Sequence, residues 1–184
     1  MYIVKGKTRV VIVIPQWGIV LKIAIIRIWS TARLVISWLE EPKKSRDLFR
    51  IEMREARWWS WASSIKRPLF AGLMENWNEY GFYRRTKLKI LQPTIFSIGV
   101  LNIQKYAPKS NLRSVGFWKQ MVDTVGEKRI GFDHHHFSNA ANFSVINDKL
   151  VILDYGNPRT YKVLYRIGDK LWSQFDVFKA SSAR

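Results

Sequence analysis

The sequence has no cysteine among its 184 residues. Disulfide bonds and thiolate metal sites are therefore excluded, and a metal ion would have to be bound by oxygen or imidazole ligands. A chain without cysteine fits a reducing compartment, so we expect a cytoplasmic, intracellular protein. The chain also lacks low-complexity tracts, long linkers and internal repeats, which favours a single domain over residues 1–184.

No hydrophobic run is long enough for a membrane span. A basic N-terminus precedes the apolar run Val10 to Leu21, in an order that imitates a signal peptide. However, Pro15 and Gly18 interrupt this run, and no small-residue cleavage pattern follows it. A membrane-spanning helix needs roughly 18 or more apolar residues in succession. We therefore expect no transmembrane segment.

Acidic residues are scarce. The chain carries 31 Lys and Arg against 14 Asp and Glu, which gives a formal net charge of +17 at pH 7. A surface of this charge attracts polyanions. The composition therefore predicts an anionic partner, such as a nucleotide, a nucleic acid, an acidic protein or an anionic membrane. Hydrophobic residues make up 47% of the chain, which predicts a folded globule.

Two β-branched runs near the N-terminus predict an antiparallel hairpin. The run Val10 to Ile14 is followed by the turn Pro15 to Gly18 and then by the run Ile19 to Ile26. Lys22 lies in the middle of the second run. A lysine is tolerated in a buried strand only when a carboxylate or a phosphate neutralises its charge. The pattern therefore predicts an anionic group close to Lys22.

The rest of the chain alternates between helical and strand patterns. We predict helical structure over residues 31–83, with breaks at Pro42 and Pro68 and a separate helix from Leu69 to Arg85. Strands are predicted within Ile90 to Tyr106, and an amphipathic helix from Ser114 to Val125. Strands and helices mixed in this way predict an α+β fold.

The most informative stretch runs from Asn142 to Gly156. An apolar segment after Asn142 leads into the polar turn Asn147-Asp148-Lys149, and the apolar run Leu150 to Leu153 ends at Asp154-Tyr155-Gly156. Two short apolar runs around a polar turn predict a β-hairpin. A metal-capable oxygen side chain, Asn or Asp, lies at each end of that hairpin.

Four features in this order resemble the protein-kinase-like fold: the strand lysine Lys22, the helical glutamate Glu79, Asn142, and Asp154 in Asp-Tyr-Gly. The similarity is to its small atypical members, which are the aminoglycoside phosphotransferases and the Rio-type and phage-encoded kinase-like proteins. The resemblance implies that Lys22 contacts the phosphates of ATP and that Glu79 pairs with Lys22. It also implies that Asn142 and Asp154 hold Mg²⁺, and that an active enzyme would transfer the γ-phosphoryl group to a hydroxyl acceptor.

The resemblance also predicts the architecture and the catalytic base. Residues 1–106 would form an N-lobe-like part with a helical insertion at 31–83, and residues 107–184 a reduced, helical C-lobe-like part. The fold class is therefore a reduced two-lobed α+β fold with an antiparallel N-terminal sheet. The family's catalytic aspartate lies five residues before the asparagine, where this chain has Phe137. Asp133 is consequently the candidate base, and His135 is the second candidate.

Three other interpretations remain open. The segment Asp133 to His136 contains all 3 histidines of the chain, and it is similar to the Asp-His opening of HNH-type metal nucleases, in which one histidine activates water. A basic and aromatic cluster predicts either nucleic-acid binding by stacking and phosphate contact or packing of its aromatic rings in the core. This cluster includes Arg54, Arg57, Trp58, Lys66 and Arg67. The third interpretation is a kinase-like fold that binds ligands without catalysis.

Overall fold

The computed structural model describes residues 1–29, 36, 66–108, 110, 112 and 114–182. The first part of the helical segment predicted over 31–83, including the break at Pro42, lies outside the described residues. Within the described part of the chain, no helix is long and apolar enough to cross a membrane.

The N-terminal part is a five-stranded antiparallel sheet. Its strands are β1 (Tyr2–Lys5), β2 (Arg9–Ile14), β3 (Ile19–Ala24), β4 (Thr94–Ser97) and β5 (Leu101–Lys105), and they are arranged in the order β1-β2-β3-β5-β4. The predicted turn between β2 and β3 is a 3₁₀ turn at Pro15–Trp17 that closes with Gly18 at φ 64°. The β-branched runs thus form the predicted hairpin, at the centre of the sheet.

The helix α1 (Lys66–Thr86) packs against one face of this sheet. The separate helix predicted from Leu69 to Arg85 lies within α1, and the backbone departs from helical geometry at Phe70, two residues after Pro68, with φ −114° and ψ 19°. Close packing depends on Gly72, since a Cβ there would lie 2.2 Å from the carbonyl oxygen of Thr8.

The C-terminal part consists of a hairpin and several helices. The helix α2 (Ser114–Val125) has the predicted bounds, and short helical turns follow it as α3 (Glu127–Ile130), Gly131–Asp133, α4 (His134–Phe137) and Ala140–Asn142. The predicted hairpin is β6 (Phe143–Ile146) and β7 (Lys149–Ile152). The last helices are α5 (Pro158–Gln174) and α6 (Val177–Ser182).

The hairpin joins the two parts. Its turn places Asn147 and Asp148 at φ 48° and 57°, a left-handed conformation that Asn and Asp tolerate. Ile152 at the end of β7 donates its N–H to Ile90 and accepts from Gln92, at 2.8 and 3.0 Å. The main core lies beside this junction and is rich in fully buried aromatic residues, including Phe82, Phe117, Phe137, Phe143 and Tyr155. The structure is thus a mixed α+β fold with an antiparallel N-terminal sheet, as predicted.

Candidate functional site

The side chains of Lys22 and Glu79 meet in a buried ion pair. Lys22 points from β3 to the sheet face that α1 covers, and its Nζ lies 2.8 and 3.0 Å from the two carboxylate oxygens of Glu79. The residues are 5% and 0% exposed. Burial lowers the pKa of Lys22, while Glu79 opposes this by favouring the ammonium form. The predicted pairing is therefore present in the structure, whereas contact with nucleotide phosphates stays a prediction.

The carboxylate of Glu79 accepts two further hydrogen bonds and makes a second ion pair. The Asn102 side chain donates from β5 at 2.7 Å, and the backbone N–H of Tyr155 donates at 3.2 Å. Arg9 Nη1 lies 3.1 Å from the same carboxylate. Donors from the sheet and from the segment after β7 thus converge on one side chain of α1, which holds the carboxylate in place.

Lys22 also reaches the end of the hairpin. Its Nζ donates to the carbonyl oxygen of Leu153 at 2.7 Å, and this oxygen also accepts from the Gln104 side chain at 3.1 Å. Leu153 directly precedes Asp154. The ammonium group of Lys22, which is predicted to contact phosphates, therefore lies close to Asp154, which is predicted to bind metal.

Asp154 is held by an arginine that the sequence-based prediction did not include. Arg9 Nη2 lies 2.6 Å from Asp154 Oδ1. Burial works against the ionised carboxylate, but Arg9, Lys22 and His136 outweigh it and hold the pKa of Asp154 below its ordinary value. The side chain is nevertheless 46% exposed, so part of the carboxylate remains open to solvent.

Arg9 itself is buried at the start of β2. Besides Asp154, its guanidinium contacts Asn76 at 3.3 Å, Glu75 at 3.5 Å and Glu79. Burial opposes its charge, yet the three carboxylates hold the pKa of Arg9 above its ordinary value. The like charges of Glu75 and Glu79 at i,i+4 on one helical face favour cations opposite them, but they do not indicate which residue supplies a cation besides Lys22.

Asn142 lies on the other side of the hairpin. Its side-chain Nδ2 donates a hydrogen bond to the carbonyl oxygen of His136 at 2.9 Å. Its backbone carbonyl oxygen accepts a hydrogen bond from Leu153 N at 2.8 Å. His136 Nε2 in turn hydrogen-bonds the carbonyl oxygen of Asp154, so this nitrogen carries the proton. The histidine beside the proposed site is therefore His136, which the sequence-based prediction did not single out.

A cavity of about 730 Å³ opens between the sheet and the C-terminal part. Its size is typical of small-molecule sites, which lie near 300–1,000 Å³. Polar groups in its lining include Arg9, Lys22, Asn142 and Asp154. Apolar side chains also line it, among them Val11, Val13, Val20, Ala107, Leu112 and Phe143. The cavity thus offers both charged groups and an apolar wall.

The candidate bases lie elsewhere. Asp133 is 5% exposed and accepts a hydrogen bond from Thr160 at 2.7 Å, and burial raises the pKa of its carboxyl. His135 is exposed on the short helix α4. Neither is among the described residues that line the cavity. Phe137, at the position of the family's catalytic aspartate, is fully buried in the core.

The histidine segment does not form a metal cluster in the structure. His134 packs edge-on against the Trp118 ring, with the centroids 4.3 Å apart, while His136 faces the Asp154 carbonyl. Among the described residues there is no group of three or more His, Cys, Asp and Glu side chains that could hold a metal ion. The described side chains are thus not arranged as an HNH-like metal site would require.

Asn142 and Asp154 supply side-chain oxygen atoms that suit Mg²⁺ as ligands. Mg²⁺ prefers oxygen ligands, and it is usually bound by one or two carboxylates together with substrate phosphates and water. Asp154 contacts Arg9 through Oδ1 and its side chain is 46% exposed, and both Asn142 and Asp154 line the cavity. These two residues fit an ion that arrives with phosphate oxygens. They are too few for a site built from protein ligands alone.

Most of the residues of the predicted nucleic-acid cluster lie in the part of the chain that the structure does not describe. Arg54, Arg57 and Trp58 lie outside the described residues, and Lys66 and Arg67 are described only as backbone in α1.

Comparison with known proteins found no family model, no curated protein and no solved structure that matches the chain. The function therefore has to be argued from the site itself.

Proposed function

We propose that the protein binds a nucleotide, with ATP as the expected ligand, in the cavity between the sheet and the C-terminal part. The observation that carries this proposal is the buried Lys22–Glu79 pair, whose ammonium group also reaches Leu153 and lines the cavity next to Asp154. A phosphate oxygen near Lys22 would gain a charged donor. The apolar wall of the cavity offers a surface on which a base can pack.

The order of the elements supports a kinase-like interpretation. The lysine lies in the third strand, the glutamate in α1, and the Asp-Tyr-Gly segment after a hairpin that begins beyond Asn142. In the family that the sequence resembles, these positions contact phosphates and hold Mg²⁺. We propose the same roles for Lys22, Asn142 and Asp154 in this chain, with Glu79 orienting Lys22.

Magnesium would enter this site together with the nucleotide. Asn142 and Asp154 would hold it, and its positive charge would neutralise phosphate oxygens. Arg9 and Lys22 face the three carboxylates of Glu75, Glu79 and Asp154, so an incoming phosphate needs the positive charge of the metal ion as well. Nucleotide binding and metal binding are therefore expected to support each other.

The residues of the site favour nucleotide binding over catalysis. Transfer of the γ-phosphoryl group needs a group that positions the acceptor hydroxyl or takes its proton. Phe137 is fully buried, and Asp133 bonds Thr160 outside the lining of the cavity. These two observations favour a nucleotide-binding module over an efficient phosphotransferase. Undiminished transfer of ³²P from ATP by Asp133→Ala would show that Asp133 is not the base.

The binding proposal is tested by thermal unfolding with and without magnesium-ATP. A ligand at a hundredfold excess over its Kd stabilises the folded state by about 2.7 kcal/mol. We expect this shift in the wild type and its loss in Lys22→Met. Lys128→Met removes a lysine on the exposed surface of the short helix α3, and its shift should equal that of the wild type. An undiminished ATP shift in Lys22→Met would contradict the proposal.

A polyanionic partner remains a second candidate, because the net charge of +17 is far larger than one nucleotide requires. Duplex DNA and single-stranded RNA tested in the same unfolding series distinguish the two. Binding through phosphate contacts falls steeply with salt concentration. Nucleic-acid binding with a steep salt slope and no response to ATP would favour this candidate over the nucleotide site.

A further inference from the structure

We propose that Arg9 acts as an internal cation that occupies Asp154 and competes with a divalent metal ion for it. The contact between Arg9 Nη2 and Asp154 Oδ1, at 2.6 Å, is the shortest that Arg9 makes with its carboxylate partners. The inference rests on the proposed function in one respect, which is the role of Asp154 as a metal ligand.

Removal of Arg9 would take a neighbouring cation away from its carboxylate partners. Two cations, Arg9 and Lys22, face three carboxylates, which belong to Glu75, Glu79 and Asp154. Without Arg9, Lys22 would still pair with Glu79, while Glu75 and Asp154 would each lose their contact with the guanidinium. A divalent cation could then replace the guanidinium, since carboxylate oxygens are the ligands that such ions prefer.

The surroundings hold the guanidinium in this position. Arg9 is 6% exposed, and its partner Asn76 is itself fixed by hydrogen bonds to the carbonyl oxygens of Lys22 and Gly99, at 3.0 and 2.7 Å. Thr8, next to Arg9 in the chain, donates to Glu75 at 2.5 Å. Arg9 thus has neighbours on both sides that resist its movement away from Asp154.

The size of the competition follows from the interaction with Asp154. An opposite charge within about 4–6 Å stabilises an ionised carboxylate by roughly 1–3 pKa units, or about tenfold to a thousandfold. A metal ion that binds Asp154 must overcome this stabilisation. Wild-type protein should therefore bind a divalent ion weakly in the absence of nucleotide phosphates.

The test uses Mn²⁺ alone, without nucleotide, and measures its binding by electron paramagnetic resonance of the free ion. We expect Arg9→Met to bind Mn²⁺ at least about tenfold more tightly than the wild type. Adding Asp154→Asn to Arg9→Met should remove the gain. Arg129→Met lowers the net charge equally at an exposed position, and its Mn²⁺ affinity should match that of the wild type.

A second variant keeps the test informative if Arg9→Met does not fold. Arg9→Lys retains a positive charge but cannot contact three carboxylates at once, because its ammonium is a single compact group. Its Mn²⁺ affinity should lie between those of the wild type and Arg9→Met. Equal Mn²⁺ affinity in wild type and Arg9→Lys, or a gain that survives Asp154→Asn, would overturn the proposal.

The result is independent of nucleotide binding. A protein that gains Mn²⁺ affinity in Arg9→Met but shows no ATP shift would support the role of Arg9 and contradict the proposed nucleotide site. The reverse outcome, an ATP shift without any effect of Arg9 on Mn²⁺, would leave the nucleotide site in place and refute the competition. A merely structural arginine would change stability alone.

Discussion

The replacement Glu79→Gln should be among the most destabilising single changes in the described part of the chain. Glu79 is 0% exposed and receives donors from Lys22, Asn102, Arg9 and the Tyr155 amide. A glutamine would keep one carbonyl oxygen and place an NH₂ group against these donors. Both of the buried cations would also lose part of their neutralisation.

The expected loss follows from the burial of the pair. Removing one partner of a buried ion pair typically costs about 3–5 kcal/mol, because the remaining charge stays buried without compensation. Native domains are stable by roughly 5–15 kcal/mol. Glu79→Gln should therefore remove a third or more of the free energy of unfolding for a protein in the middle of that range.

Glu75→Gln provides the matched control, because it makes the same chemical change one turn earlier on α1. Its side chain is 33% exposed, and its contact with Arg9 is 3.5 Å. A partly exposed pair contributes only about 0–1 kcal/mol. Urea unfolding followed by tryptophan fluorescence measures both variants. A loss below about 1 kcal/mol in Glu79→Gln, or equal losses in the two variants, would refute the argument from burial.

Two further predictions concern the surroundings of Glu75. Gly156→Ala should destabilise the protein by about 1–3 kcal/mol in urea unfolding, because the new Cβ would lie 2.7 Å from the Glu75 carbonyl oxygen. Gly81→Ala, on the helix α1 that carries Glu75, places its Cβ near only the flexible end of Arg85, so it should be neutral or stabilising. Similar losses of stability in the two variants would contradict the packing argument. The second prediction concerns pH. Burial raises the pKa of Glu75 above its ordinary value of 4.5, so the folded state holds more protons between 4.5 and the raised pKa, and stability falls as pH rises through that window. Thermal unfolding of Glu75→Gln should lack this fall, and identical pH profiles for the two proteins would disprove it.

The sequence predicted the elements well because the patterns are local. The β-branched runs around Lys22 and the hairpin around Asn147 depend on neighbours a few residues apart. The helix Ser114–Val125 was likewise predictable from its amphipathic pattern. The break predicted at Pro68 lies two residues before the departure from helical geometry at Phe70.

The composition of the site was harder to predict, because it depends on register between distant segments. The pairing of Lys22 with Glu79 could be proposed, since a strand lysine requires an anion and the family order supplied one. The role of Arg9 could not, because its position on the inner sheet face depends on how β2 pairs with β3. His135 and His136 are neighbours in the sequence, and the conformation of the short helix α4 determines which of the two side chains faces Asp154.

One cluster of charges therefore serves both the fold and the proposed site. Arg9 and Lys22 come from the sheet, Glu79 from α1, and Asp154 from the segment after β7. Any change in this cluster will reduce stability, so a loss of activity or binding alone cannot reveal a functional role. The two cations nevertheless predict effects of opposite sign. Lys22→Met should lose affinity for ATP, whereas Arg9→Met should gain affinity for Mn²⁺ while it loses stability. A gain of affinity in a destabilised protein cannot arise from unfolding, and it would assign the two cations distinct roles in binding.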